Sequence, residues 1–360
     1  MTMRLVQKPR ILVTGANGFV GGWFAEAIHL GGWATVRAGI SRWSGAARIA
    51  RFPVELRLCD VLDRNSLDGA LEGVDVVVHC ARGREDDSPV MTDGTRLLLD
   101  RARAAGVQRV IFMSSVAVYG DATGRVEEGT APVGALTAYG ASKRQAETIC
   151  REMGDEAMSV VALRPTLIYG PFSEQWSMPF ITRLASGRWR QLGARGGGKC
   201  NLVYVGDLVR FARHLLSVDT GPYAVFNANG PEVPTWNQYI ESFNAALGLP
   251  SLPPPDTAAG GLGLQVAMRR PLRKVGKYVL AHHRAALVGI ASRSPAIKAV
   301  LKRTEEDLRF RPNDDEMQRF ATDVTYAMDA AAGIGFVPPT GVERGLMLTA
   351  EWARDMRLVA

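Results

Sequence analysis

Short, strongly apolar runs alternate with amphipathic stretches over the first 165 residues. Ile11–Val13, Thr35–Ile40, Val54–Cys59, Val74–His79, Val110–Met113 and Val160–Leu163 read as strands. Between them, Val20–His29, Asn65–Leu71, Thr95–Ala105 and Tyr139–Met153 repeat apolar residues at helical spacing. Strands apolar on both faces are covered on both faces, and strand–helix alternation with right-handed crossovers builds a parallel sheet. The pattern predicts an α/β fold with a doubly wound parallel sheet.

Beyond Arg164-Pro165 the alternation loosens. A helix and a glycine loop (Gly193–Gly198) are expected within 171–199. Then come a strand at Leu202–Val205, a helix at Asp207–Leu216, a strand at Ala224–Asn227, and a loop and helix over 231–249. Pro250–Gly263 is rich in Pro and Gly and reads as a linker. Leu272–Ser292 and Ala296–Asp307 read as basic helices, and Val342–Arg357 as a closing helix.

The first turn carries chemistry. Directly after the first strand stands Thr14-Gly15-Ala16-Asn17-Gly18-Phe19-Val20-Gly21, a Gly-x-x-Gly-x-x-Gly pattern that opens a helix. Gly15 permits a tight turn, Gly18 lets backbone approach a pyrophosphate, and Gly21 lets the helix pack on the sheet. The helix N-terminus, with Asn17, Phe19 and Val20, then faces the anion. This is a Rossmann dinucleotide site. Residues 8–170 are therefore expected to form the dinucleotide-binding domain, with 200–228 returning to it. A smaller, mainly helical substrate domain would comprise 171–199 and 229–360.

An NAD enzyme usually has Asp or Glu at the end of the second strand, for the ribose hydroxyls. Val36-Arg37-Ala38-Gly39-Ile40-Ser41-Arg42 has none. Ser41 and Arg42 suit a 2′-phosphate, so NADP is preferred over NAD, although a surface Arg42 beside an NAD site is also compatible. Asp60 and Val61, after the third strand, fall where an adenine ring would lie. Asp60 could accept from its amine, cap the next helix, or do both.

Tyr139 and Lys143 are four apart on a predicted helix and share a face. A phenol is a weak base at neutral pH unless a nearby cation favours its ionised form. Lys143 is placed for that, and for holding the nicotinamide ribose. Ser115, closing the fifth strand, can hydrogen-bond a reacting oxygen while Tyr139 moves the proton.

Composition narrows the classes. The 360 residues are 47% apolar and 22% charged, as in an ordinary globular protein. Met1–Lys8 is too short and polar for a signal peptide, and no apolar run is long enough to span a membrane. Cys59, Cys80, Cys150 and Cys200 are scattered, which suits reduced thiols in the cytoplasm. Five histidines without ligand spacing offer no metal-binding pattern. Between Thr257 and Thr304 stand ten Lys or Arg and no Asp or Glu, against a net charge of +7 for the chain. That segment is either a solvated face, a site for an anionic substrate, or a peripheral contact with an anionic membrane. It carries no nucleic-acid-binding motif.

These stretches resemble the extended short-chain dehydrogenase/reductases, in particular the NAD-dependent epimerase/dehydratase family. The likeness extends through Val77–Ala81, Ser114–Gly120, Leu163-Arg164-Pro165 to Pro171, Asn201–Leu208, and the tail from Ile334 to Trp352. The resemblance implies that Ala81 lines the cofactor cleft and that Pro165 and Thr166 lie near the nicotinamide. It also implies a nucleotide-activated sugar or related glycosyl compound as substrate, and a homodimer as a possible assembly. Arg183, Lys199 and Asn201 are candidates to contact the substrate. Two departures stand out. Met91 replaces an Asn common in the family. Val116-Ala117 replaces the Asp-Glu pair of sugar dehydratases and the Cys of epimerases that also reduce. What remains is carbonyl reduction, alcohol oxidation or 4-epimerisation. The alternatives are a steroid- or flavonoid-like ketone reductase and a non-catalytic cofactor-sensing protein.

Overall fold

In the computed structural model, which describes residues 8–83, 88–255 and 310–359, the apolar runs pair as one seven-stranded parallel sheet. Its strands are β1 (Arg10–Thr14), β2 (Thr35–Ile40), β3 (Glu55–Leu58), β4 (Val76–His79), β5 (Arg109–Met113), β7 (Ser159–Pro165) and β10 (Tyr223–Ala228). The order across the sheet is β10-β7-β5-β4-β1-β2-β3. Ile11 pairs with Val36 on one side and Val76 on the other, so the winding reverses between β1 and β4. A doubly wound sheet opens its ligand crevice at that point, beyond the carboxyl ends of the strands.

Helices cover both faces. On one, α1 (Phe19–Gly31) and α7 (Val205–Leu215) bury Phe24, Ile28, Leu208 and Phe211 against Ile11, Val13 and Ile111. On the other, α2 (Arg64–Leu71), α4 (Asp93–Ala104) and α5 (Ala138–Met153) bury Leu67, Leu98 and Ile149 against Leu12, Val77 and Val110. Alternate residues of β1 thus go to opposite cores, as a period of two requires. Within 200–228, β10 pairs with β7, and Phe211 stacks on Phe336 at 4.2 Å.

A third core is aromatic. It gathers Tyr169, Phe180, Trp189, Trp236, Tyr239, Phe243 and Phe320 from β8 (Leu167–Tyr169), α6 (Met178–Ala185), α8 (Trp236–Ala246) and α9 (Asp314–Phe320), with Leu346 and Ala350 from α11 (Val342–Asp355). A capping box of Asn313 and Glu316 starts α9.

The sequence pattern missed the short strands. β6 (Gly124–Val126) pairs with β11 (Val324–Tyr326), ahead of α10 (Asp329–Gly333), and β8 pairs with β9 (Leu202–Tyr204). Three residues are too few to display a period. The helix α3 (Ser88–Met91) was missed for the same reason. Val205, expected in a strand, opens α7 with Tyr204 as its extended N-cap. The two basic helices expected between Leu272 and Asp307, and the charged segment 257–304, lie outside the described residues.

Candidate active site

Gly15 has φ +66°, a conformation that favours glycine, and a Cβ there would lie 2.9 Å from the Ala81 backbone. A Cβ on Gly21 would lie 2.4 Å from the Gly15 carbonyl oxygen. At Gly18 the only neighbour is that same oxygen, at 3.3 Å, which leaves the outer side clear. Gly18 is the N-cap of α1, and no side chain caps the helix there. The first-turn amides, including those of Phe19 and Val20, are therefore available to an anion. A close-packed turn with an uncapped helix end and a clear approach fits a dinucleotide pyrophosphate.

Asn17 Nδ2 donates to Ser41 Oγ at 3.2 Å and ties the turn to the end of β2, where Ser41 and Arg42 are exposed. At the end of β3, Asp60 is exposed and Val61 buried. The cap of α2 is Asp63, which accepts from Asn65 and Ser66 amides; Asp60 Oδ1 accepts from the Leu62 amide at 3.0 Å. Asp60 therefore shapes the turn before α2 and does not cap it.

Thr14 Oγ1 lies 2.7 Å from His79 Nδ1 and accepts from the Ala81 amide at 3.2 Å. Thr95 Oγ1 meets the other ring nitrogen at 3.2 Å. This pins the loop after β4, with Ala81, against the glycine turn. Burial, and next the charge of Lys143, push His79 down to about 3, so the ring is neutral at physiological pH.

Ser115, Tyr139 and Lys143 converge at the carboxyl end of β5. Ser115 Oγ accepts from the Ala117 amide at 3.2 Å and starts a short 3₁₀ turn. Lys143 Nζ donates to the Met113 carbonyl at 2.6 Å and stands 5.9 Å from the centre of the Tyr139 ring. Burial pushes the Lys143 ammonium down to about 8. Burial also pushes the Tyr139 phenol up, and the charge of Arg82, with polar interactions to Ser115 and Arg82, draws it back. Arg82 was not singled out from the sequence. It follows Ala81 in a loop with no period, and only the fold brings it to α5.

Behind the site lies a buried charged network, also missed. Glu147, one turn after Lys143, accepts from Arg164 Nε at 2.9 Å and Nη2 at 2.6 Å, and from Ser114 Oγ. Arg164 Nη1 donates to Tyr119 Oη at 2.7 Å, and Tyr119 donates to Asn227 Oδ1 at 2.6 Å. The i, i+4 spacing of Glu147 from Lys143 was the available signal.

Pro165 and Thr166 are buried at the end of β7, and Thr166 Oγ1 donates to Asn229 Oδ1 at 2.9 Å. Among the substrate candidates, Arg183 forms an ion pair with Glu316 at 2.7 Å and lies over Trp189. Asn201 is buried: its Nδ2 donates to the Val324 carbonyl, and its Oδ1 accepts from Asn229 Nδ2. Both join strands and helices to each other. Lys199 is half-buried and forms an isolated antiparallel bridge with Thr235. Met91, in the family's Asn position, is buried, with its carbonyl held by Thr95 Oγ1 at 2.7 Å.

A glycine turn at the switch point of a doubly wound sheet, with Ser, Tyr and Lys at the next strand ends, defines an enzyme of the short-chain dehydrogenase/reductase class. More narrowly, residues 11–228 match the model of the NAD dependent epimerase/dehydratase family, and the chain belongs to that family. It is 32% identical over 267 residues to N-acetyl-α-D-glucosaminyl-diphospho-ditrans,octacis-undecaprenol 4-epimerase of Escherichia coli O157:H7, covering 70% of this chain and 77% of that one. It is 34% identical to sterol demethylase protein B of Methylococcus capsulatus over 58% of this chain and 66% of that one. A UDP-glucose 4-epimerase of Thermotoga maritima, solved with UDP-glucose, shares the fold with TM-score 0.68 at 20% identity, covering 96% and 99% of the two chains.

Proposed function

We propose that the chain is a nicotinamide-dependent epimerase or oxidoreductase that acts on a secondary alcohol of a sugar carried on a diphosphate. The observation that carries this is the Ser115–Tyr139–Lys143 group at the strand ends beside the glycine turn. Tyr139 takes a proton from the sugar hydroxyl and returns it to the resulting carbonyl oxygen. Ser115 holds that oxygen, and Lys143 bears the adjacent positive charge. When bound, the nicotinamide accepts and returns the hydride. Val116-Ala117, where dehydratases carry acids, supports a reaction that leaves the sugar's oxygens in place. The E. coli epimerase matches more of the chain than the sterol enzyme, which supports a sugar over a steroid.

The test is to incubate the protein and dinucleotide with UDP-sugars and follow the anomeric and ring protons by NMR. A 4-epimer should form, and Tyr139→Phe should cut turnover by about 10²–10⁴-fold. A reduced ketone with no epimer would shift the reading to a reductase.

A second reading concerns the carrier. The E. coli relative is named for a lipid-linked diphosphate, and residues 257–304 carry ten basic residues without an acid. A lipid-linked sugar presented at an anionic membrane would suit both. Binding to anionic vesicles should weaken with salt and when Arg269, Arg270, Arg273 and Lys274 are neutralised; equal binding to neutral vesicles would remove the argument. The acid-free end of β2 and the exposed Ser41 and Arg42 support NADP over NAD as the dinucleotide. Calorimetry on Arg42→Ala tests this, since a 2′-phosphate pocket should lose NADPH affinity selectively. The four free cysteines support a reducing cytoplasm. We assign 171–199 and 229–360 to the substrate domain, with homodimerisation to be checked by light scattering.

A further inference from the structure

The loop after β4 supplies a cation that no motif announces. Arg82 Cζ lies 6.0 Å from the centre of the Tyr139 ring, and Lys143 Nζ lies 5.9 Å from it. The two cations differ in their commitments. Lys143 is buried and donates to the Met113 carbonyl at 2.6 Å. Arg82 is exposed, and the loop that carries it is fixed at Ala81 by the bond to Thr14. Two groups draw the phenol down, Arg82 from the β4 loop through its charge and a polar interaction and Ser115 from the end of β5, while Lys143 stands 5.9 Å from the ring centre on the phenol's own helix.

We infer that Arg82 is a further catalytic residue, whose guanidinium stabilises the Tyr139 phenolate when the phenol acts as base. The proton that Tyr139 takes from a substrate hydroxyl is held on the phenol oxygen, and Arg82 loses its anionic partner at that moment. On protonation the interaction weakens, and it is restored when the proton is returned. Arg82 therefore favours the ionised form and carries no proton itself, since a guanidinium stays charged throughout. Burial raises the Tyr139 phenol, so its ionised form needs compensation, and with Lys143 lowered by its own burial and turned to the Met113 carbonyl, that compensation comes from Arg82 and Ser115.

The inference rests on Tyr139 as the acid–base group, and its test does not require the substrate to be known. The full chain is labelled with [ζ-¹³C]tyrosine, and the Tyr139 resonance is assigned by its loss in Tyr139→Phe. Its titration is followed in wild type, Arg82→Gln and Arg82→Lys. An opposite charge at this range shifts a titration by about one unit or more. The Tyr139 midpoint should rise by about one unit in Arg82→Gln and return most of the way in Arg82→Lys. With a turned-over substrate in hand, the acid limb of kcat/KM should move to higher pH by the same amount. An unchanged midpoint in Arg82→Gln overturns the inference, as does a rise that lysine fails to reverse. If Tyr139 shifts as expected while no sugar is epimerised, Arg82 stands and the proposed substrate falls.

Discussion

Removing the Glu147 carboxylate should destabilise the protein more than any other single change near the site. The Glu147 and Arg164 side chains are 5% and 8% exposed, so neither charge can turn to solvent when its partner is lost. Glu147 holds Arg164 through two bonds, at 2.9 and 2.6 Å, and accepts from Ser114. Glu147→Ala leaves the guanidinium buried with only Tyr119 and the Glu128 carbonyl as partners. Breaking a buried pair from one side costs about 3–5 kcal/mol. Guanidinium unfolding followed by tryptophan fluorescence should show a lower midpoint whose shift, multiplied by the slope, equals that cost, with little change in the slope itself. Replacing both partners, as Glu147→Leu with Arg164→Met, removes the stranded charge and should cost less than Glu147→Ala alone. The net value of the pair is thus smaller than the cost of breaking it. Since Glu147 follows Lys143 by one turn of α5, Glu147→Ala should also lower kcat. A loss below about 1 kcal/mol in Glu147→Ala, or a double variant costing the sum of the two singles, would refute the argument from burial.

Other perturbations follow from the same geometry. Gly21→Ala places a Cβ 2.4 Å from the Gly15 carbonyl oxygen and 2.7 Å from its carbon, both backbone, so α1 must move away from the turn by several tenths of an ångström. Dinucleotide affinity should fall on the order of 10²-fold by calorimetry with the fold retained by circular dichroism; an unchanged affinity would show that α1 does not present the pyrophosphate site. The depressed His79 gives a pH test: its folded value of about 3 lies below the ordinary 6.5, so the unfolded chain binds more protons between them. Its contribution is fully present above 6.5 and is lost as pH falls towards 3, and His79→Asn should therefore flatten the acid loss of stability measured by thermal unfolding. An identical pH curve in the variant would mean that His79 binds protons alike in the folded and unfolded chain, against its depression by burial.

Whatever repeats locally was legible in the sequence. Thr35–Ile40 was read to the residue. The glycine turn was legible because its three glycines stand in one local geometry, and Tyr139 with Lys143 because i, i+4 puts them on one helical face. Charges were read less well, since a charge in sequence carries no sign of its partner. Arg183 was taken as free for an anion, yet Glu316, 133 residues further on, holds it. Glu147 and Arg164 look like surface residues in a helix and a strand, and only their mutual neutralisation allows both to be buried.

The phenol shows why this boundary falls where it does. From sequence, Lys143 was the cation for Tyr139, because it was the only one at a fixed distance along the chain. In the fold, Lys143 is turned to the Met113 carbonyl, and its burial away from water disfavours its charge. The loop after β4 delivers Arg82 to the same ring, 6.0 Å from its centre against 5.9 Å for Lys143. A parallel sheet sends every strand end to one edge, so residues far apart in sequence become neighbours without any period to announce them. Local spacing can therefore point to a candidate acid–base group, while the charges that surround it depend on which loops the strand order places side by side.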